Sequence, residues 1–301
     1  MQSFSYRAKA EMCRAAVQRL CCARAECYGA LLYGNTFTVR EARIITENPE
    51  FAARLPRLFQ RAFNVKFDRL PSDDVPGSKL IFQISDPEKL RRILDTLGYD
   101  PQQSLVMHVN YALLEDDCCR AAFLRGAFLA GGSVTDPEKR YHLELYTSHV
   151  QASREVSALM QDMGFLPRSV MRGGSAVIYF KQSEHIEDLL TTLGAPAAAT
   201  EIMTAKVDKE IRNGANRAMN CDMANVNKTL DAVAAQQEAI EKLERAGQLD
   251  KLPEKIQETA RLRMQNPELP LAQLAALFDP PISKSCLNHR IRKIMEEARK
   301  L

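Results

Sequence analysis

The sequence predicts an α+β protein: one module, ordered helix, two strands, helix, two strands, helix, occurs twice and is followed by an all-α helix-turn-helix domain. Three observations carry that expectation. CCARAECYGALLYGNTF at 21–37 and CCRAAFLRGAFLAGGSV at 118–134 align without a gap at a separation of 97 positions, sharing Cys21/Cys118, Cys22/Cys119, Gly29/Gly126, Ala30/Ala127, Leu32/Leu129 and Gly34/Gly131. The segments that follow each copy switch between strand and helix periodicity in the same order. The roughly one hundred residues after Gly194 carry little strand signal and end on a basic amphipathic stretch.

Each copy opens with its glycine-containing helix. In the first, extended stretches at Thr36–Arg40 and Arg43–Thr46 precede a helix over Pro49–Phe63, whose Leu55, Leu58, Phe59 and Phe63 share one face. Strands at Val65–Arg69 and Lys79–Ile84 follow, then a helix in DPEKLRRILDTLG at 86–98. The second copy offers Ser133–Thr135, a turn at Asp136-Pro137-Glu138-Lys139 and a strand in YHLELYT at 141–147. Its helix spans about Val150–Met163, with Val156, Leu159, Met160 and Met163 on one face. Strands at Pro167–Arg172 and Ala176–Lys181 flank Gly173-Gly174, a hairpin signal, and SEHIEDLLTTLG at 183–194 closes the copy. Gly98 and Gly194 stand where a left-handed helix cap is expected. The expected divisions are 1–100 and 101–200 for the repeats, 201–250 for a helical linker rich in Asn and Arg, and 251–301 for the terminal domain.

With 301 residues the chain can bury two or three cores, and 46% hydrophobic with 26% charged residues is an ordinary globular balance. A net charge of +3 requires any nucleic-acid surface to be local. No apolar run reaches spanning length and MQSFSYRAKAEMCR lacks the apolar core of a signal peptide, so no membrane partner and a cytoplasmic location are expected. The eight cysteines, Cys13, Cys21, Cys22, Cys27, Cys118, Cys119, Cys221 and Cys286, contain no Cys-x-x-Cys. Adjacent cysteines point to different sides of a helix and do not readily share a tetrahedral metal. Reduced, packed thiols are therefore expected, with no metal and no cofactor.

GALLYGNTF and GAFLAGGSV resemble the core helix of the LAGLIDADG homing-endonuclease fold, so the duplicated part reads as a LAGLIDADG-like pseudo-dimer. The resemblance implies that the two helices pack at a pseudo-dyad and that each half offers a curved sheet to DNA. The small pairs Ala30/Gly34 and Ala127/Gly131 suit close backbone approach. In active members each core helix ends in an acid that holds a divalent metal at the scissile phosphates. Alignment through Gly29 and Gly126 puts those positions at Gly34 and Gly131, which offer no ligand. Asp136 and Glu138 lie in the turn beyond the helix, and Glu41 lacks an equivalent turn. They read as solvated, and no catalytic residue is expected.

The stretch Ala195–Arg245 is helical in composition, with Pro196 suited to a first turn and Gly214 its one glycine. Arg212, Asn213, Asn216, Arg217, Asn220, Asn227 and Lys228 include several i, i+3 and i, i+4 neighbours. Asn is a poor helix former, so this set serves either phosphate or domain contacts, or a hinge with local side-chain capping. Helices are then expected at Leu252–Met264, 271–278 and 283–300, with Ser283 or Ser285 as the last N-cap. Leu287, Ile291, Ile294 and Met295 would pack on Leu271, Leu274 and Leu277. The opposite face would present Lys284, Ser285, Asn288, His289, Arg292 and Lys293 to DNA, with Ser283, Arg290 and Gln273 beside them. Arg or Lys can read guanine, Asn can read adenine, and Ser or Lys can anchor phosphate. His289 has no identifiable nucleophile or carboxylate beside it and reads as a neutral contact.

CCRAAFLRGAFLAGGSVTDPEKRYHLEL (118–145), RNGANRAMNCDMANVNK (212–228) and PPISKSCLNHRIRKI (280–294) are similar to the WhiA family of bacterial transcription regulators. That resemblance covers essentially the whole chain. It implies a non-nucleolytic regulator associated with the nucleoid, binding double-stranded DNA chiefly through the helix-turn-helix. It further implies roles in sporulation, cell division or chromosome segregation, and other transcription or division regulators as partners. A residual metal-dependent endonuclease and a protein-interaction scaffold with weak DNA binding are the competing readings.

Overall fold

The computed structural model describes residues 2–17, 19–71, 79–100 and 106–301. Two compact units meet in sequence at Lys209 and Glu210.

The N-terminal unit is built on two helices, α2 (Leu20–Leu32) and α5 (Asp117–Gly131), packed directly on each other. They touch where neither carries a side chain. A Cβ added to Gly29 would sit 1.9 Å from the Phe123 carbonyl oxygen, and one added to Gly126 would sit 1.9 Å from that of Glu26. The closest approach is thus at Gly29/Gly126, one residue before Ala30 and Ala127 of the expected small pairs, whose amides lie 3.0 and 2.8 Å from the added Cβ atoms. Tyr28 stacks edge-on against Phe123 at 5.3 Å beside this crossing.

Each core helix feeds an antiparallel sheet. In the first repeat, β1 (Thr36–Phe37), β2 (Ala42–Thr46) and β3 (Leu80–Ile84) pair in that order. The expected strand over Thr36–Arg40 is cut short because the Thr38 hydroxyl accepts from the Arg40 and Glu41 amides at 3.2 and 3.1 Å, folding a tight turn. The expected Val65–Arg69 strand is reduced to one bridge, Arg69 to Gln83. There Asp68 accepts from the Ser85 and Asp86 amides at 2.7 and 2.8 Å and pairs with Lys89, which ties the segment to the start of α4 (Pro87–Leu97). The helix α3 (Pro49–Phe63) covers this sheet with the predicted apolar face.

The second repeat forms four strands in the order β4 (Gly132–Val134), β5 (Leu143–Thr147), β7 (Ser175–Phe180), β6 (Arg168–Arg172). Gly173 and Gly174 take φ of 55° and 82°, as a tight hairpin turn demands. Helices α6 (Val150–Asp162) and α7 (Ser183–Leu193) complete it. Gly98 and Gly194 cap α4 and α7 in the left-handed conformation, as expected.

One helix was absent from the sequence expectation. The helix α1 (Phe4–Met12) buries Phe4, Ala8 and Met12, and its Lys9 ammonium donates to the Leu129 carbonyl near the end of α5 at 3.1 Å. Its Glu11 carboxylate in turn accepts from the Ala197 and Ala198 amides at 2.8 and 3.0 Å, capping α8 (Pro196–Arg245).

The C-terminal unit packs the end of α8 with α9 (Glu254–Gln265), α10 (Leu271–Ala276) and α11 (Lys284–Arg299). Its core draws Ala239, Ile240 and Leu243 out of the stretch expected to be linker. Among the described residues, no helix is long and apolar enough to cross a membrane.

The cysteines do not follow the expectation of packed thiols. Cys27 and Cys119 are buried, whereas Cys21, Cys118, Cys221 and Cys286 are exposed. Nor do adjacent cysteines diverge: the sulfurs of Cys21, Cys22 and Cys119 all lie within 4.8 Å of one another. The first turn of a helix leaves its side chains free to swing past the N-terminus, which is how neighbours on α2 reach one point.

Candidate nucleic-acid interface

The terminal unit is assembled around apolar residues that fix which side of α11 faces out. Leu274, Ala275 and Phe278 pack on Leu287 and Ile291, while Ile294 and Ala298 join the ends of α8 and α9. Leu277, expected in this core, is 49% exposed, and Phe278 fills the place instead. The reason is register: α10 ends at Ala276, so the chain turns before Leu277 can face inward.

The turn between α9 and α10 is held by a residue that sequence reasoning missed. Arg263 is 1% exposed, and its Nη1 donates to the carbonyls of Asn266, Pro267 and Leu269 at 3.2, 3.3 and 3.0 Å. Burial lowers its pKa from the ordinary guanidinium range. A guanidinium is the natural group here, because one fork can satisfy several carbonyls of a tight turn.

Ser283 is the N-cap of α11, its hydroxyl accepting from the Cys286 amide at 3.1 Å. Ser285, Asn288, His289, Arg292 and Lys293 are all exposed on α11, as are Lys284, Ser283 and Gln273 of α10. The helical spacing gathers Ser285, His289 and Arg292 on the side opposite Leu287 and Ile294. Arg290 does not belong with them. Its guanidinium lies over the Phe278 ring at 5.2 Å, 3.9 Å from Glu258 and within 3.4 Å of the Lys255 carbonyl, so it braces α11 against its neighbours.

The Asn- and Arg-rich segment is one unbroken stretch of α8 through Gly214, which leaves no helix end there for capping side chains to serve. Arg212, Asn213, Asn216, Arg217 and Lys228 are exposed. Lys228 and Lys284 line one cleft of about 280 Å³ with Gln236 and Leu271, whereas Arg212, Asn213, Asn216 and Arg217 lie further toward the start of the helix.

The N-terminal unit presents a second polar surface on its larger sheet. Across the ladder, Glu144 stands beside Tyr179 and Tyr179 beside Arg168, while every residue of β6 is exposed. Arg172 reaches Glu144 at 3.3 Å, and Lys181 lies 5.5 Å from the Tyr179 ring centre. Arg140 and His142 line the same groove. The alternation of a half-buried strand, inward Leu143 and Leu145 against outward Glu144 and Tyr146, was the available signal for this face.

At the C-terminal ends of the core helices, Gly34 and Gly131, the positions expected to correspond to the acids of active LAGLIDADG members, are closed. A Cβ on Gly131 would lie 2.5 Å from the Tyr146 carbonyl oxygen and 2.7 Å from that of Tyr33, and one on Gly34 would lie 2.9 Å from that of Ala30. Asp136 is exposed and accepts from the Glu138 amide at 2.9 Å, so it stabilises its own turn. The Pro137 carbonyl of that turn accepts from Lys209.

Residues 120–212 match the family model of the WhiA LAGLIDADG-like domain, and residues 215–298 match that of the WhiA C-terminal HTH domain. The chain is 36% identical to a probable cell division protein WhiA of Ruminiclostridium cellulolyticum, covering 99% of this chain and 98% of that one. It is 34% identical to the Clostridium novyi protein of the same name, covering 99% of both. In fold it is similar to full-length WhiA of Thermatoga maritima, with a TM-score of 0.59 and 21% identity over 100% of this chain and 99% of that one.

Proposed function

The chain belongs to the WhiA family, and from that premise we propose that it is a sequence-directed DNA-binding transcriptional regulator without nuclease activity. The observation that carries this reading is the outward side of α11, where Ser285, Asn288, His289, Arg292 and Lys293 stand exposed on a helix whose other side is locked into a core. A recognition helix needs that rigidity, because base edges are read only by side chains held in register with the major groove. Lys284 and Lys228, sharing one cleft, would hold phosphate. Arg212, Asn213, Asn216 and Arg217 would extend contact along the backbone. The β6 face would give the N-terminal unit its own, less sequence-dependent surface.

The relatives are named for cell division, which favours a role in division or chromosome segregation over one confined to sporulation. Binding at the nucleoid, in the cytoplasm, with other regulators as partners, completes the proposal. The absence of nuclease activity rests on the closed Gly34 and Gly131 positions. Selection of bound sequences from a random duplex pool by the full chain tests the reading. Enrichment of a defined motif, lost when Ser285, His289 and Arg292 are replaced together by Ala, is expected. A pool that stays random, or a motif that survives the triple replacement, overturns it.

A further inference from the structure

We infer that Cys21, Cys22, Cys118 and Cys119 form a four-thiolate site for one zinc ion, joining the two repeats at the N-terminal ends of their core helices. The duplication itself makes the site. Each copy places an adjacent pair of cysteines in the first turn of its core helix, and the packing of the two helices brings Cys21, Cys22 and Cys119 together with Cys118 beside Cys119. Two pairs contributed from opposite sides can supply the four ligands of a tetrahedral ion.

Three of the sulfurs already converge, and Cys118 is the one that must turn toward them. The sulfurs of Cys21, Cys22 and Cys119 lie within 4.8 Å of one another, and Cys119 lies equally close to Cys118 and to the Asp116 carboxylate. Zinc–sulfur bonds near 2.3 Å set sulfurs about 3.8 Å apart, within reach of small rotamer adjustments. A [4Fe–4S] cluster gives each thiolate its own iron and a [2Fe–2S] cluster gives each pair of thiolates its own iron, so either spreads the four sulfurs further.

The surroundings suit thiolates. Neither core helix has a side-chain cap: the side chains of Arg19 and Asp116, at the N-cap positions, bond no first-turn amide, while the Asp116 carbonyl accepts from the Cys119 amide at 2.9 Å. All four cysteines stand in the first turns of α2 and α5, where the positive ends of the two helices favour a thiolate. The Arg19 guanidinium lies 3.8 Å from the Cys118 sulfur and 3.8 Å from Asp116, supplying positive charge beside a site whose net charge with zinc is −2. Four neutral thiols release four protons as the ion binds, so no oxidant or reductant is involved. The site is distinct from the Gly34 and Gly131 positions, which lie at the opposite ends of the same helices, about 18 Å away at 1.5 Å per residue.

The test is the metal content of the full-length chain, purified under reducing conditions without chelator. One zinc per chain is expected, retained through gel filtration and lost in C22S/C119S, while C221S/C286S keeps it. Because the cluster variant can fail to fold, the wild-type chain stripped of metal is also titrated with Co²⁺. Intense tetrahedral d–d bands with sulfur-to-cobalt charge transfer are expected. Zinc-free protein that gives no such spectrum overturns the assignment, as do bound iron with labile sulfide, or a Cys21–Cys119 disulfide found in its place. DNA binding through α11 is a separate property, so loss of metal with retained sequence selection leaves the functional proposal standing.

Discussion

Gly29 and Gly126 face each other across the core helices, and each makes room for a carbonyl oxygen of the other's helix, Phe123 for the first and Glu26 for the second. The reciprocity is a direct consequence of the duplication: one small residue, repeated, lets both backbones close to contact. Each of the two helices leads directly into the first strand of its own sheet.

Replacing either glycine by alanine therefore forces the helices apart. Gly126→Ala is expected to cost about 4 kcal/mol or more, since backbone rather than a movable side chain blocks the new methyl group. Gly214→Ala is the opposite case. It lies in exposed α8 with nothing within 4 Å of a new Cβ, so better helix propensity should stabilise the chain by up to ~1 kcal/mol. Urea unfolding of the two variants beside the parent checks both signs.

What the sequence made legible follows from where the determining forces lie. Pro49–Phe63 and the capped helices ending at Gly98 and Gly194 depend on local periodicity and backbone preference, and they form as read. The exposed side of α11 is equally local. By contrast, α1 is short and owes its place to packing, with Lys9 on α5 and Glu11 on α8. Glu26 is buried only because Arg54 and Arg125, 28 and 99 positions away, meet its two oxygens at 2.6 and 3.1 Å. Arg290 looked like its basic neighbours until Phe278 and Glu258 claimed it. The cysteine pairs were visible in the sequence, but their convergence needed the dyad.

Acids placed at Gly34 and Gly131 should not create a nuclease. In G34D/G131D the Cβ at position 131 meets two carbonyl oxygens below 3 Å, so the carboxylate cannot be placed without moving Tyr33 or Tyr146. Supercoiled plasmid with Mg²⁺ should remain uncut, and the variant should melt earlier than the parent. Specific nicking would show that the scaffold accommodates a metal-binding acid pair at these positions.

Lys9 gives the N-terminal unit a pH signature. Burial lowers its pKa from 10.5 to about 8, with the Cys13 thiol opposing that shift. Below about pH 8 the folded and unfolded states both hold the proton, so the full penalty of burying the charge is present. As pH rises from about 8 toward 10.5, the folded state sheds the proton first and stability climbs, by at most ~3 kcal/mol. Lys9→Met removes this dependence. The stability advantage of that variant over the parent should shrink between pH 7 and pH 9 in parallel denaturation curves.

Three basic residues of α11 should separate cleanly by role. Arg292 is exposed on the outward side, so Arg292→Ala should weaken binding to a selected duplex by about 1–3 kcal/mol and relax preference at one base position. Lys284 lies at the N-terminus of the helix in the cleft with Lys228. Lys284→Ala should weaken all duplexes alike and reduce the salt slope of log K by about 1. Arg290 holds α11 to α9 and to Phe278, so Arg290→Ala should lower the melting temperature of the C-terminal unit, with DNA affinity falling only as the folded fraction falls. Fluorescence anisotropy across a salt series, paired with thermal melts of each variant, distinguishes the three. Equal losses of selectivity from Arg290→Ala and Arg292→Ala would mean that the side of α11 turned toward Phe278 also reaches DNA.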